Sequence, residues 1–222
     1  MEKLLYLPDF ILHFDKHLSQ AIQEYSGWVY LFLFLIIFIE TGVVAMPFLP
    51  GDSLLFTVGA FAAIGSLEVR LAVFILVCAA VLGDTANYAI GRIAGPKIFY
   101  KEQSIFFKRE YLERTRRFYE KYGSKTIVLA RFVPVIRTFA PFVAGIGRMK
   151  YGLFLLYNAL GGILWVTLCI FSGYFLGNIP IVKNNFSLVI LVIIFLSVLP
   201  IFWEIWKHRR EQKHPGLAQG QK

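Results

Sequence analysis

Four charged residues fall inside or beside strongly apolar stretches of the sequence: Glu40, Asp52, Arg131 and Arg137. At the centre of a membrane-spanning helix each charge would cost about 2.5–3.5 kcal/mol, so the four together would cost roughly 10 kcal/mol if unpaired. Such a cost is tolerated only when the charges face one another or a water-filled cavity. The sequence therefore predicts one polar site shared by these four side chains.

The residue types indicate what such a site could bind. A guanidinium group binds phosphate oxygens in pairs, and a helix that starts nearby adds oriented N–H groups. We therefore predict that Arg131 and Arg137 bind a phosphate group. A carboxyl group in a low-dielectric site can gain or lose a proton near neutral pH, so Glu40 and Asp52 are predicted to couple proton movement to release of the anion.

A purely structural role for these charges stays open. Glu40–Arg131 and Asp52–Arg137, in some pairing, could only fasten two segments together. Asp84 is a secondary candidate for the site, because it too is charged and lies in an apolar stretch. Its alternative role is hydrogen bonding between helices.

Two other classes of protein compete with a transporter. A lipid-phosphate hydrolase could hold phosphate with the arginines and use a carboxylate or Ser53 as the reactive group. The histidines all lie outside the apolar core: His13, His17, His208 and His214. No His, Cys, Asp or Glu cluster has metal-ligand spacing, so we predict no enzyme, metal or other cofactor. A non-transporting scaffold would explain a basic segment at 92–125, but not the charges at membrane depth.

The elements that position these residues are helices long enough to cross a bilayer. The chain has 222 residues, of which 57% are hydrophobic. Four apolar stretches approach the roughly 20 residues that a span requires: 28–46, 71–91, 151–177 and 186–206. The fold class predicted is an all-α integral membrane protein with about four transmembrane helices. The net charge of +9 lies mostly beside the spans, so nucleic acid is not an expected partner.

Three polar segments flank the spans. Residues 1–26 carry apolar side chains at steps of three and four, which predicts an interfacial amphipathic helix rather than a cleavable signal. A helix packed on a soluble partner is the alternative. Segment 92–125 is predicted to be a basic amphipathic element on the cytoplasmic surface, and the basic tail after Trp206 is placed there as well. The four tryptophans are interpreted as interface anchors or packing residues: Trp28, Trp165, Trp203 and Trp206.

The number of crossings predicts a re-entrant hairpin at 126–147. If segment 92–125 and the tail lie on one side, the chain between them must cross an even number of times. Spans 151–177 and 186–206 already supply two crossings. Residues 126–147 must therefore return to the face from which they start.

The same reasoning predicts a second hairpin at 47–65. It lies between spans 28–46 and 71–91 and starts from the outer face, which places the N-terminus in the cytoplasm with the C-terminus. Several residues are predicted to break the helices of the two hairpins: Pro47, Pro50, Gly51, Pro134, Pro141 and Gly145.

The two halves share a weak internal pattern. A Pro-containing segment leads to a glycine, Gly59 or Gly145, and each is followed by a span that ends in two glycines four residues apart. With opposite faces of insertion, this pattern fits an inverted repeat that binds its ligand near the membrane midplane. The glycine pairs Gly91/Gly95 and Gly173/Gly177 could equally mark close contacts between helices. The chain is accordingly divided into 1–26, a core at 27–178 and a C-terminal part at 179–222.

Three segments closely resemble signature segments of the DedA family of VTT-domain membrane proteins. They are Glu40-Thr-Gly-Val-Val, Pro47-Phe-Leu-Pro-Gly-Asp-Ser-Leu-Leu55 and Arg131-Phe-Val-Pro-Val-Ile-Arg137-Thr-Phe-Ala-Pro-Phe-Val-Ala-Gly145. The resemblance covers nearly the whole chain, except for about the last ten residues.

The resemblance implies a bacterial inner-membrane protein with two opposed re-entrant hairpins. Members are implicated in envelope maintenance, dependence on the proton motive force, and translocation of polyprenyl phosphate carrier lipid or phospholipids. Eukaryotic relatives are lipid scramblases. The family's functional positions fall on the same four charged residues. The partners expected are therefore a phosphate-bearing lipid, protons and membrane lipids; the exact lipid and homo-oligomer formation stay open.

Overall fold

The computed structural model describes residues 26–43, 51–98, 109–180 and 182, and this part of the chain is helical without a strand. A 3₁₀ turn at Gly123–Lys125 separates the fourth and fifth of its helices. The seven α-helices are α1 (Ser26–Gly42), α2 (Gly51–Ala63), α3 (Val69–Ile98), α4 (Arg109–Tyr122), α5 (Thr126–Ala130), α6 (Pro134–Ile146) and α7 (Tyr151–Gly177). The all-α class predicted from the sequence is confirmed for the described residues.

Two of these helices are long and apolar enough to cross a membrane: Val69–Ile93 within α3, and α7. α7 exposes a run of leucines at steps of four: Leu156, Leu160, Leu164 and Leu168. Its buried side carries Asn158 and Trp165 instead. Apolar side chains outside and polar ones inside are the arrangement expected when the surrounding solvent is lipid.

Contacts along the helices define their directions. Gly162 of α7 lies against Val81 of α3, and Asn158 against Thr85, so α3 and α7 are antiparallel. α1 runs parallel to α3, because Tyr30 accepts a hydrogen bond from the Glu68 N–H at the start of α3. The last residue of α1, Gly42, packs on Gly83, near the middle of α3. α1 thus extends along only half of α3.

Close glycine contacts join the shorter helices to the long ones. On α2 and α7, a Cβ added at Gly59 would clash with the Ile170 carbonyl, and one added at Gly173 would clash with that of Phe56. On α6 and α3, a Cβ added at Gly145 would clash with the Tyr88 carbonyl, and one added at Gly91 would clash with that of Phe142. Small residues permit such close crossings of apolar helices. α2 is parallel to α7 and α6 is parallel to α3, so α2 and α6 point in opposite directions.

The crossing at Gly173 gives a prediction on stability. Alanine normally stabilises a helix interior relative to glycine by about 0.5–1 kcal/mol. At Gly173 the added methyl group would meet backbone, so Gly173→Ala is expected to destabilise the protein by about 1–3 kcal/mol. Gly152→Ala is the matched control, because nothing lies within 4 Å of its Cβ position. Thermal unfolding of both purified variants checks this, and equal melting temperatures would contradict the close crossing.

Some predicted boundaries differ from the structure. The segment predicted as span 28–46 is a helix of 17 residues that ends at Gly42. The third helix continues to Ile98, past the predicted end of span 71–91 and into the basic segment 92–125. α4 supplies the amphipathic helix that was expected within that segment.

The predicted helix breaks are partly corrected. Gly51 and Pro134 each begin a helix. The first turn suits proline, because a backbone N–H at that position would have no partner within the helix. The break in the second hairpin falls at 131–133, where Val133 is extended as expected before a proline. Pro141 lies inside α6, so its prediction as a break was wrong. Gly145 is also inside α6, where its missing side chain permits the contact with Tyr88.

Several sequence predictions fall on residues that the structure does not describe. They are the N-terminal helix up to residue 25, Pro47 and Pro50, part of the basic segment, the span at 186–206 and the basic tail.

Candidate functional site

The first turns of two opposed helices meet at one point. Asp52 is the second residue of α2, and Arg137 lies one turn inside the start of α6. Arg137 Nη1 donates to Asp52 Oδ1 at 2.8 Å. Because the N-terminus of a helix carries a partial positive charge and free N–H groups, both helices favour an anion at this point.

Arg137 is bonded to a second carboxylate from a third helix. Its Nη2 donates to Glu40 Oε1 at 2.8 Å, and Glu40 also accepts from the Gly51 N–H at 3.3 Å. Residue 51 must be glycine, since a Cβ there would occupy the space of the Glu40 carboxylate. The two acids differ in environment: Glu40 is 1% exposed, whereas 54% of the Asp52 side chain is exposed.

Trp165 of α7 forms the wall of this cluster. Its indole N–H donates to Asp52 Oδ1 at 2.7 Å. The guanidinium carbon of Arg137 lies 5.2 Å from the ring centroid, and that of Arg131 lies 5.7 Å from it, both within the range of a cation–π interaction. One tryptophan thus contacts both arginines and one carboxylate.

Arg131 belongs to a separate ion pair. Its Nη2 donates to Asp84 Oδ2 at 2.5 Å and to Asn158 Oδ1 at 2.6 Å, and all three residues are buried. Gly161 makes room for the Arg131 side chain, because a Cβ there would lie 3.1 Å from its Cδ and 3.3 Å from its Nε; a Cβ at Gly162 would be in ordinary contact with Nη2 at 3.5 Å. Arg131 Nε and Nη1 are buried without a hydrogen-bond partner among the described residues.

The structure brings together three of the four predicted residues and separates the fourth. Glu40, Asp52 and Arg137 form one cluster. Arg131 is joined to it through the Trp165 ring, and its ionic partner is Asp84. The Asp52–Arg137 pairing considered from the sequence is therefore present, whereas a Glu40–Arg131 pairing is replaced by Asp84–Arg131.

Sequence reasoning missed Trp165, Asn158 and the position of Asn87. Trp165 was interpreted as an interface anchor or packing residue, although its position in the middle of a 27-residue helix is far from either interface. Asn87 donates to the carbonyl groups of Thr41 and Thr138 at 3.1 and 2.9 Å, which joins α1, α3 and α6 beside the site. Polar residues at the centre of long apolar helices were the available signal.

The described residues contain no group of three His, Cys, Asp or Glu side chains that could hold a metal ion. The cluster contains two arginines and three carboxylates, and Trp165 contacts Arg131, Arg137 and Asp52 directly.

Residues 49–175 match the VTT domain model. The chain is 52% identical over 212 residues to Protein DedA of Escherichia coli K12, covering 95% of this chain and 97% of that protein. It is 46% identical to an uncharacterized membrane protein of Mycobacterium leprae, covering 83% and 82% of the two chains.

A more distant relative is the inner membrane protein YqjA of E. coli K12, which is 32% identical over 79% of this chain and 80% of that protein. No solved structure matches the chain. The domain match and the extent of the identity to these membrane proteins together show that the chain is a membrane protein of the DedA family, which carries the VTT domain.

Proposed function

We propose that this chain moves a phosphate-bearing lipid, either a polyprenyl phosphate carrier or a phospholipid, across the bacterial inner membrane, in a process linked to the proton motive force that serves envelope maintenance. One observation carries the proposal: Arg137 is placed between the first turns of two opposed helices, next to a carboxylate that is more than half exposed. An arginine at two helix N-termini is a site for an anionic head group.

The proposed placement puts this site at the middle of the bilayer. Asp84 and Trp165 lie near the centres of the two long helices. α1 approaches the site and α2 leaves it in the opposite direction, so α1 and α2 form one re-entrant hairpin in this proposal. α5 and α6 form the other. The hairpin of α1 and α2 replaces the span at 28–46 and the hairpin at 47–65 that were predicted from the sequence, and residue 26 then lies on the side from which α3 starts. Broken helices that meet at the midplane are a recurring way to bind substrate in transporters with inverted repeats.

The arginines have different roles in this proposal. Arg137 is the direct phosphate ligand, because its neighbour Asp52 is exposed. Arg131 was predicted as a second ligand, but its bonds to Asp84 and Asn158 favour a supporting role in which it raises the positive potential beside the Trp165 ring.

The count of charges supports the proton linkage. The site holds two arginines and three carboxylates, Glu40, Asp52 and Asp84, which leaves one negative charge in excess when all five groups are ionised. An anionic phosphate entering this site would be repelled. Uptake of a proton by Glu40 or Asp52 removes the excess charge, so binding of phosphate and uptake of a proton favour each other.

Reconstitution tests the proposal. Sealed proteoliposomes containing polyprenyl phosphate would be assayed for head-group exposure on the opposite leaflet, with and without a pH gradient, and a parallel arm would use phospholipid. We expect the protein to accelerate movement and the gradient to change its rate. Well-folded protein that moves neither lipid would reject the proposal. Release of inorganic phosphate would instead identify a hydrolase.

Replacing Glu40 tests the proton linkage. Glu40→Gln preserves the shape of the side chain and removes one negative charge from the site. In the wild type, lower pH is expected to promote phosphate binding, because a proton must join the site. In the variant the charges already balance, so the rate should depend less on pH between 5 and 8. Transport rates across that range check this, and an unchanged pH profile would assign Glu40 a structural role.

A further inference from the structure

Both terminal nitrogens of Arg137 already donate a hydrogen bond to a carboxylate. Nη2 donates to Glu40 and Nη1 donates to Asp52. A phosphate group that approached Arg137 beside both carboxylates would be repelled by two negative charges, so the favourable route is to replace one of them.

Asp52 is the replaceable one. Its side chain is 54% exposed, whereas Glu40 is 1% exposed and is further held by the Gly51 N–H. Removing Glu40 from its partner would leave a buried charge uncompensated, which is costly. Asp52 can instead turn outwards into the space to which more than half of its side chain is exposed.

The same Asp52 oxygen accepts two hydrogen bonds. Oδ1 receives Nη1–H of Arg137 at 2.8 Å and Nε1–H of Trp165 at 2.7 Å. A departing Asp52 would leave both donors available together. Because Trp165 is buried, its N–H needs a new acceptor, and a phosphate oxygen is a strong one.

We propose that the Asp52 carboxylate is a resident anion that occupies the position of a substrate phosphate oxygen, and that Trp165 Nε1–H and Arg137 Nη1–H together bind that oxygen when Asp52 leaves. This inference rests on the proposed function, since it specifies how the same site takes a phosphate head group. Asp52 thereby competes with the substrate, and Trp165 becomes a substrate-binding residue.

If Asp52 competes with the substrate, removing its carboxylate should strengthen phosphate binding. If Asp52 only supports the site, removing it should weaken binding. Full-length protein purified in detergent would be titrated with tritiated farnesyl phosphate, and farnesol would serve as the phosphate-free control. Asp52→Ala is expected to bind farnesyl phosphate about tenfold more tightly than wild type, because a charged hydrogen-bonding competitor is gone. Adding Trp165→Phe to that variant keeps the aromatic ring and removes the N–H, so most of the gain should be lost.

Two control substitutions and a second variant complete the test. Trp28→Phe and Glu68→Ala alter exposed residues away from the cluster and should leave binding unchanged. Asp52→Asn retains the size of the side chain and should also bind more tightly, by a smaller factor, because its amide oxygen still accepts from Trp165. If Asp52→Ala does not fold, Asp52→Asn still shows whether loss of the carboxylate strengthens or weakens phosphate binding.

The outcomes separate this inference from the proposed function. If the wild type binds and neither Asp52 variant binds more tightly, the competition is wrong while the phosphate site stands. If Asp52→Ala tightens binding and Trp165→Phe has no effect on it, the role of the indole N–H is overturned. If wild type and variants all fail to bind farnesyl phosphate while folded, the inference is rejected together with the polyprenyl phosphate form of the proposed function.

Discussion

Replacing Arg137 by alanine is expected to lower the rate of lipid transport by about two orders of magnitude or more, while the protein is still inserted in the membrane. The reason is the loss of a hydrogen-bonded charge partner, which typically costs about 2–5 kcal/mol. Arg137→Lys should recover only part of the rate, because one ammonium group cannot reproduce the planar fork that contacts Glu40 and Asp52 together. Head-group exposure in proteoliposomes measures both variants.

A double variant distinguishes lost binding from lost folding. In Arg137→Ala the buried carboxylate of Glu40 loses its ionic partner, so the protein should also melt at a lower temperature. Arg137→Ala combined with Glu40→Gln removes that unpaired charge and should recover much of the melting temperature without recovering transport. Recovery of transport in the double variant would show that Arg137 only fastens the helices together.

Replacing Asp84 by alanine is expected to give the largest loss of stability, about 3–5 kcal/mol, because Arg131 would remain buried without its carboxylate. Asp84→Asn should cost less, since the amide oxygen can still accept from the guanidinium group. Thermal unfolding in detergent, with Glu120→Ala as a control in an exposed pair, measures the difference.

Removing both charges of this pair tests what Arg131 does. Asp84→Leu with Arg131→Met replaces a buried ion pair by apolar side chains of similar length, which is often neutral for stability. The double variant is therefore expected to fold, and its transport rate reports whether the charge of Arg131 is required. If it unfolds as readily as Asp84→Ala alone, the pair contributes more than compensation of buried charge.

The grouping of the charged residues was predictable because an unpaired charge at membrane depth is expensive. Glu40, Asp52 and Arg137 could be selected from the sequence without knowing the fold, and the structure places them in direct contact. The cost of an unpaired charge at membrane depth also pointed to Asp84, but that cost alone could not identify Arg131 as its partner. Which acid meets which arginine depends on helix directions, and these follow from packing rather than from hydropathy.

The missed residues show a limit of reasoning by residue type. A tryptophan in an apolar helix is usually an anchor or a packing residue, so Trp165 gave no sign of its hydrogen bond to Asp52. Pro141 was taken for a break, yet it lies within α6. A proline inside a helix removes one backbone hydrogen bond, but the helix can continue when packing supports it. Here α6 packs closely on α3 at Gly91 and Gly145.

Each half of the chain packs its short helix on a long helix of the other half, and this arrangement has a consequence for biosynthesis. α2 packs on α7 and α6 packs on α3, so each short helix finds its main neighbour in the other half of the chain. During synthesis the ribosome releases α2 about a hundred residues before α7, at a time when Glu40 and Asp52 have no arginine to meet. The first half is therefore expected to stay incompletely assembled until the second half has been made, and neither half is expected to assemble when expressed alone.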